Sequence, residues 1–93
     1  MQNIKIVKFY SPTCGPCKVV EKKLQDAKIE HININILELD TIEGIDCDVD
    51  LIEYFNITSV PTILLLDANN KELLRIKGIP SEEELKKLLN EIN

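Results

Sequence analysis

The spacing of apolar residues changes several times along the chain, and each change marks an element. Ile4 to Tyr10 is rich in Ile, Val, Phe and Tyr and stops at Ser11-Pro12, which predicts a strand. From about Cys14 to Lys28 the apolar positions Val19, Val20, Leu24 and Ala27 recur at helical spacing. Lys18, Glu21, Lys22, Lys23 and Gln25 cover the opposite face, and Pro16 sits near the start, where a missing N–H costs little. Ile32 to Leu39 alternates, with Ile32, Ile34 and Ile36 set against Asn33 and Asn35, and predicts a second strand. Asp40 to Asp48 is an acidic loop interrupted by Gly44. Asp48 is suited to cap a short helix running to about Phe55, with Val49, Ile52 and Phe55 facing inward.

The uninterrupted run Thr62-Ile63-Leu64-Leu65-Leu66 predicts a third strand. Asp67-Ala68-Asn69-Asn70 is a turn, and Glu72 to Lys77 is a fourth strand paired with it as an antiparallel hairpin. Ser81 followed by Glu84 is a capping box opening a last helix to about Ile92, striped by Leu85, Leu88, Leu89 and Ile92. The order is β-α-β-α-β-β-α. Its first half is a βαβ unit with parallel strands and its second half a hairpin and a helix. The economical solution is an α/β domain with a four-stranded mixed sheet and helices on both faces.

A chain of 93 residues has room for one core, so residues 1–93 are expected to be a single domain. A net charge of −5 argues against nucleic acid, which needs a basic surface. No apolar run nears the roughly 20 residues needed to span a bilayer. Met1 to Lys5 lacks the apolar stretch and cleavage site of a secretory signal, so the default expectation is a cytoplasmic protein without membrane association.

Three cysteines, two of them three residues apart, suit a reactive pair in a reducing compartment better than structural cross-links. Cys14-Gly15-Pro16-Cys17 falls where a strand ends and a helix begins. A helix N-terminus offers unpaired N–H groups and partial positive charge, which stabilise a thiolate, the form that attacks. Cys14, at the lip of the turn, is expected to attack, and Cys17, one turn in, to resolve the mixed disulfide. Gly15 lets a partner backbone approach and Pro16 stiffens the turn. The competing use of such a pair is as half of a zinc site. Zinc needs four ligands, and Cys47 and His31, the other candidates, have no motif spacing to the pair.

With the strand Ile6-Val7-Lys8-Phe9-Tyr10, the motif Cys14-Gly15-Pro16-Cys17-Lys18, Ser59-Val60-Pro61-Thr62, and Gly78 before the last helix, the chain resembles the thioredoxin family along nearly its whole length. The resemblance implies the thioredoxin fold and reduction of disulfide-bearing protein substrates through Cys14 and Cys17. It also implies recharging by a thioredoxin-reductase-type flavoenzyme, no cofactor of the chain's own, no metal, and a monomer. It carries the family's cis-proline onto Pro61. A cis bond there sets the Val60 backbone beside the reactive sulfur, where an extended substrate peptide can pair with it. Gly78 falls close to the same groove. A glutaredoxin-like reading, dependent on glutathione, is disfavoured by Gly-Pro between the cysteines and by Gly78-Ile79-Pro80 where a Gly-Gly-Asp signature belongs.

Three departures stand out. The chain begins near the strand that carries the motif, like a thioredoxin without its leading strand and helix. Thr13 stands where the family has Trp, which reduces the apolar platform beside the sulfur, and Tyr10 is a candidate replacement. Lys8 stands where the family has a buried acid. Desolvated, it could tune the thiols; with its head in water it would have no chemical role; Glu38 on the next strand is its candidate partner. Cys47, between Asp46 and Asp48, reads as a poor nucleophile buried at a loop end. His31 reads as a surface residue, and Tyr54 and Phe55 as core and helix edge.

Overall fold

The computed structural model describes residues 4–38 and 40–92. Its elements follow the expected order: β1 (Lys5–Tyr10), α1 (Gly15–Asp26), β2 (Ile32–Asn35), α2 (Leu51–Tyr54), β3 (Thr62–Leu66), β4 (Glu72–Lys77) and α3 (Glu82–Ile92). The four strands form one mixed sheet in the order β2-β1-β3-β4. β1 runs parallel to β2, with Phe9 opposite Ile34, and antiparallel to β3, with Phe9 opposite Thr62. β3 and β4 form the antiparallel hairpin, with Thr62 opposite Lys77.

The two-residue period of the central strands divides the interior into two cores. On one face Ile6, Ile63, Leu65 and Ile76 pack with Val20 and Leu24 of α1 and Leu85 and Leu88 of α3. On the other, Val7, Phe9, Leu64 and Leu66 pack with Ile34, Ile42, Leu51 and Phe55. A strand covered on both faces needs no polar positions, which is why β3 is apolar throughout. Each fully buried Leu, Ile or Phe contributes about 1.5–3 kcal/mol through removal from water. Phe9 meets Phe55 edge to face at 6.1 Å, tying β1 to α2.

α1 ends in a residue of left-handed conformation, Lys28 at φ 57°. Ile29 N–H donates to Leu24 O at 2.9 Å and Lys28 N–H to Gln25 O at 3.0 Å, so two carbonyls of the last turn are satisfied. Ile29 then enters the core beside Leu24. α3 begins with the expected capping box: Glu84 Oε1 accepts from Ser81 N–H at 2.9 Å and Ser81 Oγ from Glu84 N–H at 3.2 Å. Asp67 Oδ1 organises the hairpin turn by accepting from the N–H groups of Asn69 (2.8 Å) and Lys71 (2.9 Å).

Several expectations need correction. The second strand stops at Asn35 because the Asn35 side chain accepts from Leu37 N–H at 2.9 Å and turns the chain; Leu39 lies outside the described residues. Asp50, not Asp48, caps α2, accepting from Ile52 N–H at 3.0 Å, and Leu51 takes the buried place expected of Val49 and Ile52. Val19 points to solvent, and Ile92 is exposed at the end of α3. Cys47 is exposed, although Ile42 and Ile45 of the same loop pack into or against the second core. Tyr54 is exposed, while Phe55 is core.

Candidate active site

The topology gathers one end of the sheet. The C-terminal ends of β1, β2 and β4 and the N-terminal end of β3 all lie together, and α1 starts there. Gly78 N–H donates to Pro61 O at 2.8 Å, so two residues 17 positions apart in sequence share this end. The Val60–Pro61 bond is cis and Gly78 has φ 79°, a left-handed conformation that favours glycine. Pro61 is buried and Val60 half-buried against the second core, while Thr62 Oγ1 donates to Ser59 O at 2.7 Å.

Cys14 is the N-cap of α1, with extended backbone (φ −85°, ψ 107°), and Gly15-Pro16 form its first turn. Its Sγ accepts from the backbone N–H of Cys17 at 3.1 Å, the bond a cap oxygen ordinarily accepts. The sulfur therefore sits where the helix concentrates donors and positive potential, with no acidic residue in the first turn to oppose it. The two cysteines are joined as a disulfide with Cα atoms 5.3 Å apart. Cys14 is half-buried and Cys17 only 3 % exposed, so one sulfur faces outward and the other is enclosed. Thr13, Gly15 and Pro16 are exposed around Cys14, and the space where a Gly15 side chain would stand is open.

Beside the pair lies a cleft of about 420 Å³ whose walls include Lys8, Tyr10, Cys14, Cys17, Glu21 and Asn33. Lys8 does not reach solvent: its side chain is 4 % exposed, and its Nζ pairs with Glu21 Oε1 and lies 5.4 Å from the Tyr10 ring centroid. The period of β1 explains this. Lys8 shares the face of Ile6, which α1 covers, so the ammonium meets the helix rather than water. Glu38, the expected partner, is exposed beyond the end of β2. The observed partner lies one helical turn after Cys17.

Glu21 also binds His31, whose Nε2 lies 2.9 Å and 3.1 Å from the two carboxylate oxygens, while His31 Nδ1 lies 2.9 Å from Ile29 O. The His31 side chain is 7 % exposed, not the surface residue expected. Burial works against the Glu21 carboxylate, but the hydrogen bonds and charges of Lys8 and His31 outweigh it and lower its pKa from 4.5 to about 2. Glu21 and His31 are the functional-site neighbours that sequence reasoning missed. A usable indication existed: a lysine inside an apolar strand needs a counter-ion, and the covering helix is the nearest source. Cys47 and His31, the candidate zinc partners of the pair, each lie among other groups. His31 is engaged with Glu21, and Cys47 groups with Asp46 and Asp48 in an exposed loop.

A family model described as Thioredoxin matches residues 1–91. A thioredoxin of Chlamydia muridarum is 33% identical over 85 residues, covering 91% of this chain and 78% of that protein. A thioredoxin of Buchnera aphidicola is 34% identical over 87 residues, covering 92% and 76%. Among solved structures, a thioredoxin from Nicotiana alata superposes with a TM-score of 0.74 at 29% identity, covering 97% of this chain and 74% of that one.

Proposed function

We propose a division of labour within the cysteine pair from this premise: the chain belongs to the thioredoxin family and is a thiol–disulfide oxidoreductase acting on protein disulfides. The observation that supports the assignment is the N-cap geometry of Cys14, with its sulfur on the Cys17 N–H, together with the burial of Cys17. In the reduced protein the Cys14 thiolate attacks one sulfur of a partner disulfide. The partner's other sulfur leaves as a thiolate and a mixed disulfide forms. Cys17, losing its proton, attacks Cys14 and releases the partner's second thiol. The chain is left with the Cys14–Cys17 disulfide, the two electrons having passed to the partner.

Gly15, Pro16, Thr13, Val60, Pro61 and Gly78 form the contact surface in this reading. The open space at Gly15 admits substrate backbone, and the Val60 segment offers main-chain groups for pairing. Lys8 tunes the thiols from the cleft wall. A thioredoxin-reductase-type flavoenzyme restores the dithiol. Residues 1–93 act as one domain and as a monomer in the cytoplasm. Among the described residues no helix is long and apolar enough to cross a membrane.

The test is insulin disulfide reduction by the wild type, Cys14→Ser and Cys17→Ser, with electrons supplied through either thioredoxin reductase or glutathione. Loss of activity in Cys14→Ser, and a trapped mixed disulfide in Cys17→Ser, are expected. Turnover supported by glutathione alone would overturn the assigned electron donor, and an active Cys14→Ser protein would overturn the assigned nucleophile.

A further inference from the structure

Both ring nitrogens of His31 face acceptors. Nδ1 meets the carbonyl of Ile29, which can only accept, and Nε2 meets the carboxylate of Glu21. A neutral imidazole has one N–H and cannot donate to both. Glu21 is held ionised, so the arrangement is that of an imidazolium donating from both nitrogens. With His31 protonated, one carboxylate is shared by two cations, Lys8 and His31, and the cluster carries one net positive charge. Lys8 and Glu21 are also walls of the cleft lined by Cys14 and Cys17.

We propose that Glu21 and His31 are positioning residues for the exchange reaction: Glu21 holds the Lys8 ammonium in the cleft wall, and protonated His31 leaves the cluster net positive, stabilising the thiolate formed when the disulfide opens. The proposal rests on Cys14 and Cys17 being the redox pair. Among the described residues, its electrostatics involve the charged and titratable groups that line the cleft or bond to the cluster. These are Lys8 and Tyr10 from β1, and Cys14, Cys17, Lys18 and Glu21 from α1 with neutral Gln25. From the start of β2 they are His31, with neutral Asn33. With His31 protonated the thiolate faces a net cation. With His31 neutral, Lys8 and Glu21 cancel and that support is withdrawn.

A dithiol donor supplies two electrons and two protons and closes to its own disulfide. The Cys14–Cys17 S–S bond breaks, Cys14 becomes a thiolate, Cys17 takes one proton to become a thiol, and the other proton is released. Coupling is reciprocal: if the His31 proton stabilises the thiolate, the thiolate stabilises the His31 proton to the same extent. Reduction therefore draws an additional fraction of a proton onto His31.

His31 is the only histidine in the chain, so its ring-proton resonances can be followed by NMR without assignment ambiguity. The wild-type protein is titrated twice, as the disulfide and after reduction with excess dithiothreitol. With the thiolate formed in the cleft that Glu21 also lines, the His31 titration midpoint should rise on reduction, the direction that the reciprocal coupling requires. In Cys14→Ser protein the same reductant should leave it unmoved. His31→Arg, a permanent cation, should keep the support of the Cys14 thiolate while removing its dependence on the His31 proton. Coincident His31 titrations in the two redox states overturn the proposal, whatever the insulin assay shows. A shifted midpoint supports it even if insulin is not a substrate, so the coupling and the proposed function are judged separately.

Discussion

Glu21→Gln is the substitution whose effect the structure specifies most fully, because glutamine resembles a glutamic acid that cannot ionise. The carboxylate is stabilised in the folded protein, with its pKa lowered from 4.5 to about 2. A group with a depressed folded-state pKa adds stability that is fully present above its unfolded-state value and is lost as pH falls through the folded one. The window is therefore pH 4.5 down to about 2. A shift of that size corresponds at most to roughly 3 kcal/mol. The Glu21 side chain is 28% exposed, and solvent screening brings the expected contribution to about 2 kcal/mol. Urea unfolding of the wild type and Glu21→Gln, disulfide intact, should be measured at intervals from pH 7 to 2. The wild type should be more stable by about 2 kcal/mol above pH 5, and the gap should close toward pH 2 as Glu21 takes up its proton. A gap unchanged across this range would refute the reasoning, since it would mean that the lost stability comes from packing rather than from the ion cluster.

Four further substitutions probe the frame that holds the site. Gly44→Ala should destabilise by about 1–3 kcal/mol in thermal unfolding, because Gly44 has φ 91° and an added Cβ would lie 2.7 Å from Asn70 Nδ2. That same Asn70 bonds Lys5 Nζ at 2.8 Å and Glu43 O at 3.1 Å. Asp50→Ala removes the α2 cap and should cost about 1 kcal/mol, measured by urea unfolding, whereas Asp48→Ala should be near neutral because Asp48 does not cap the helix. Leu64→Ala, at a fully buried position of a central strand, should cost about 2–5 kcal/mol in the same assay.

Most of the architecture was legible because local and long-range preferences agree in it. The apolar run at Ile63 to Leu66 reads as a buried strand, and the Ser81–Glu84 spacing marks the start of α3 to the residue. The reactive pair was legible for the same reason: the cap position that makes Cys14 useful is set by a strand end, a glycine and a proline adjacent in sequence. Errors fell where the outcome depended on a competition between near-equals. Asp46, Asp48 and Asp50 are all chemically able to cap α2. The choice among them depends on how Leu51 and Phe55 reach the second core, which spacing alone does not encode. β2 was overestimated because Ile36 and Leu37 continue an apolar pattern after the Asn35 side chain has already turned the backbone.

The ion cluster was illegible for a different reason, and that reason bears on what it does. Glu21 lies on a lysine-rich stretch, and amphipathic spacing assigns it to the solvent face. His31 lies after a helix end that redirects the chain. Their meeting depends on Lys28 adopting φ 57°, which closes α1 and delivers Ile29 to the core, and with it His31 to the carboxylate. The left-handed conformation at Lys28 costs a non-glycine residue about 1 kcal/mol. Lys28→Gly should relieve that cost and, measured by thermal unfolding, should leave stability equal or raised by up to about 1 kcal/mol. Because the helix-end hydrogen bonds are made by the backbone alone, the same variant should keep His31 on Glu21 and retain the rise of the His31 midpoint on reduction. Loss of that rise in a fully stable Lys28→Gly protein would show that the helix end does not set the cluster's geometry.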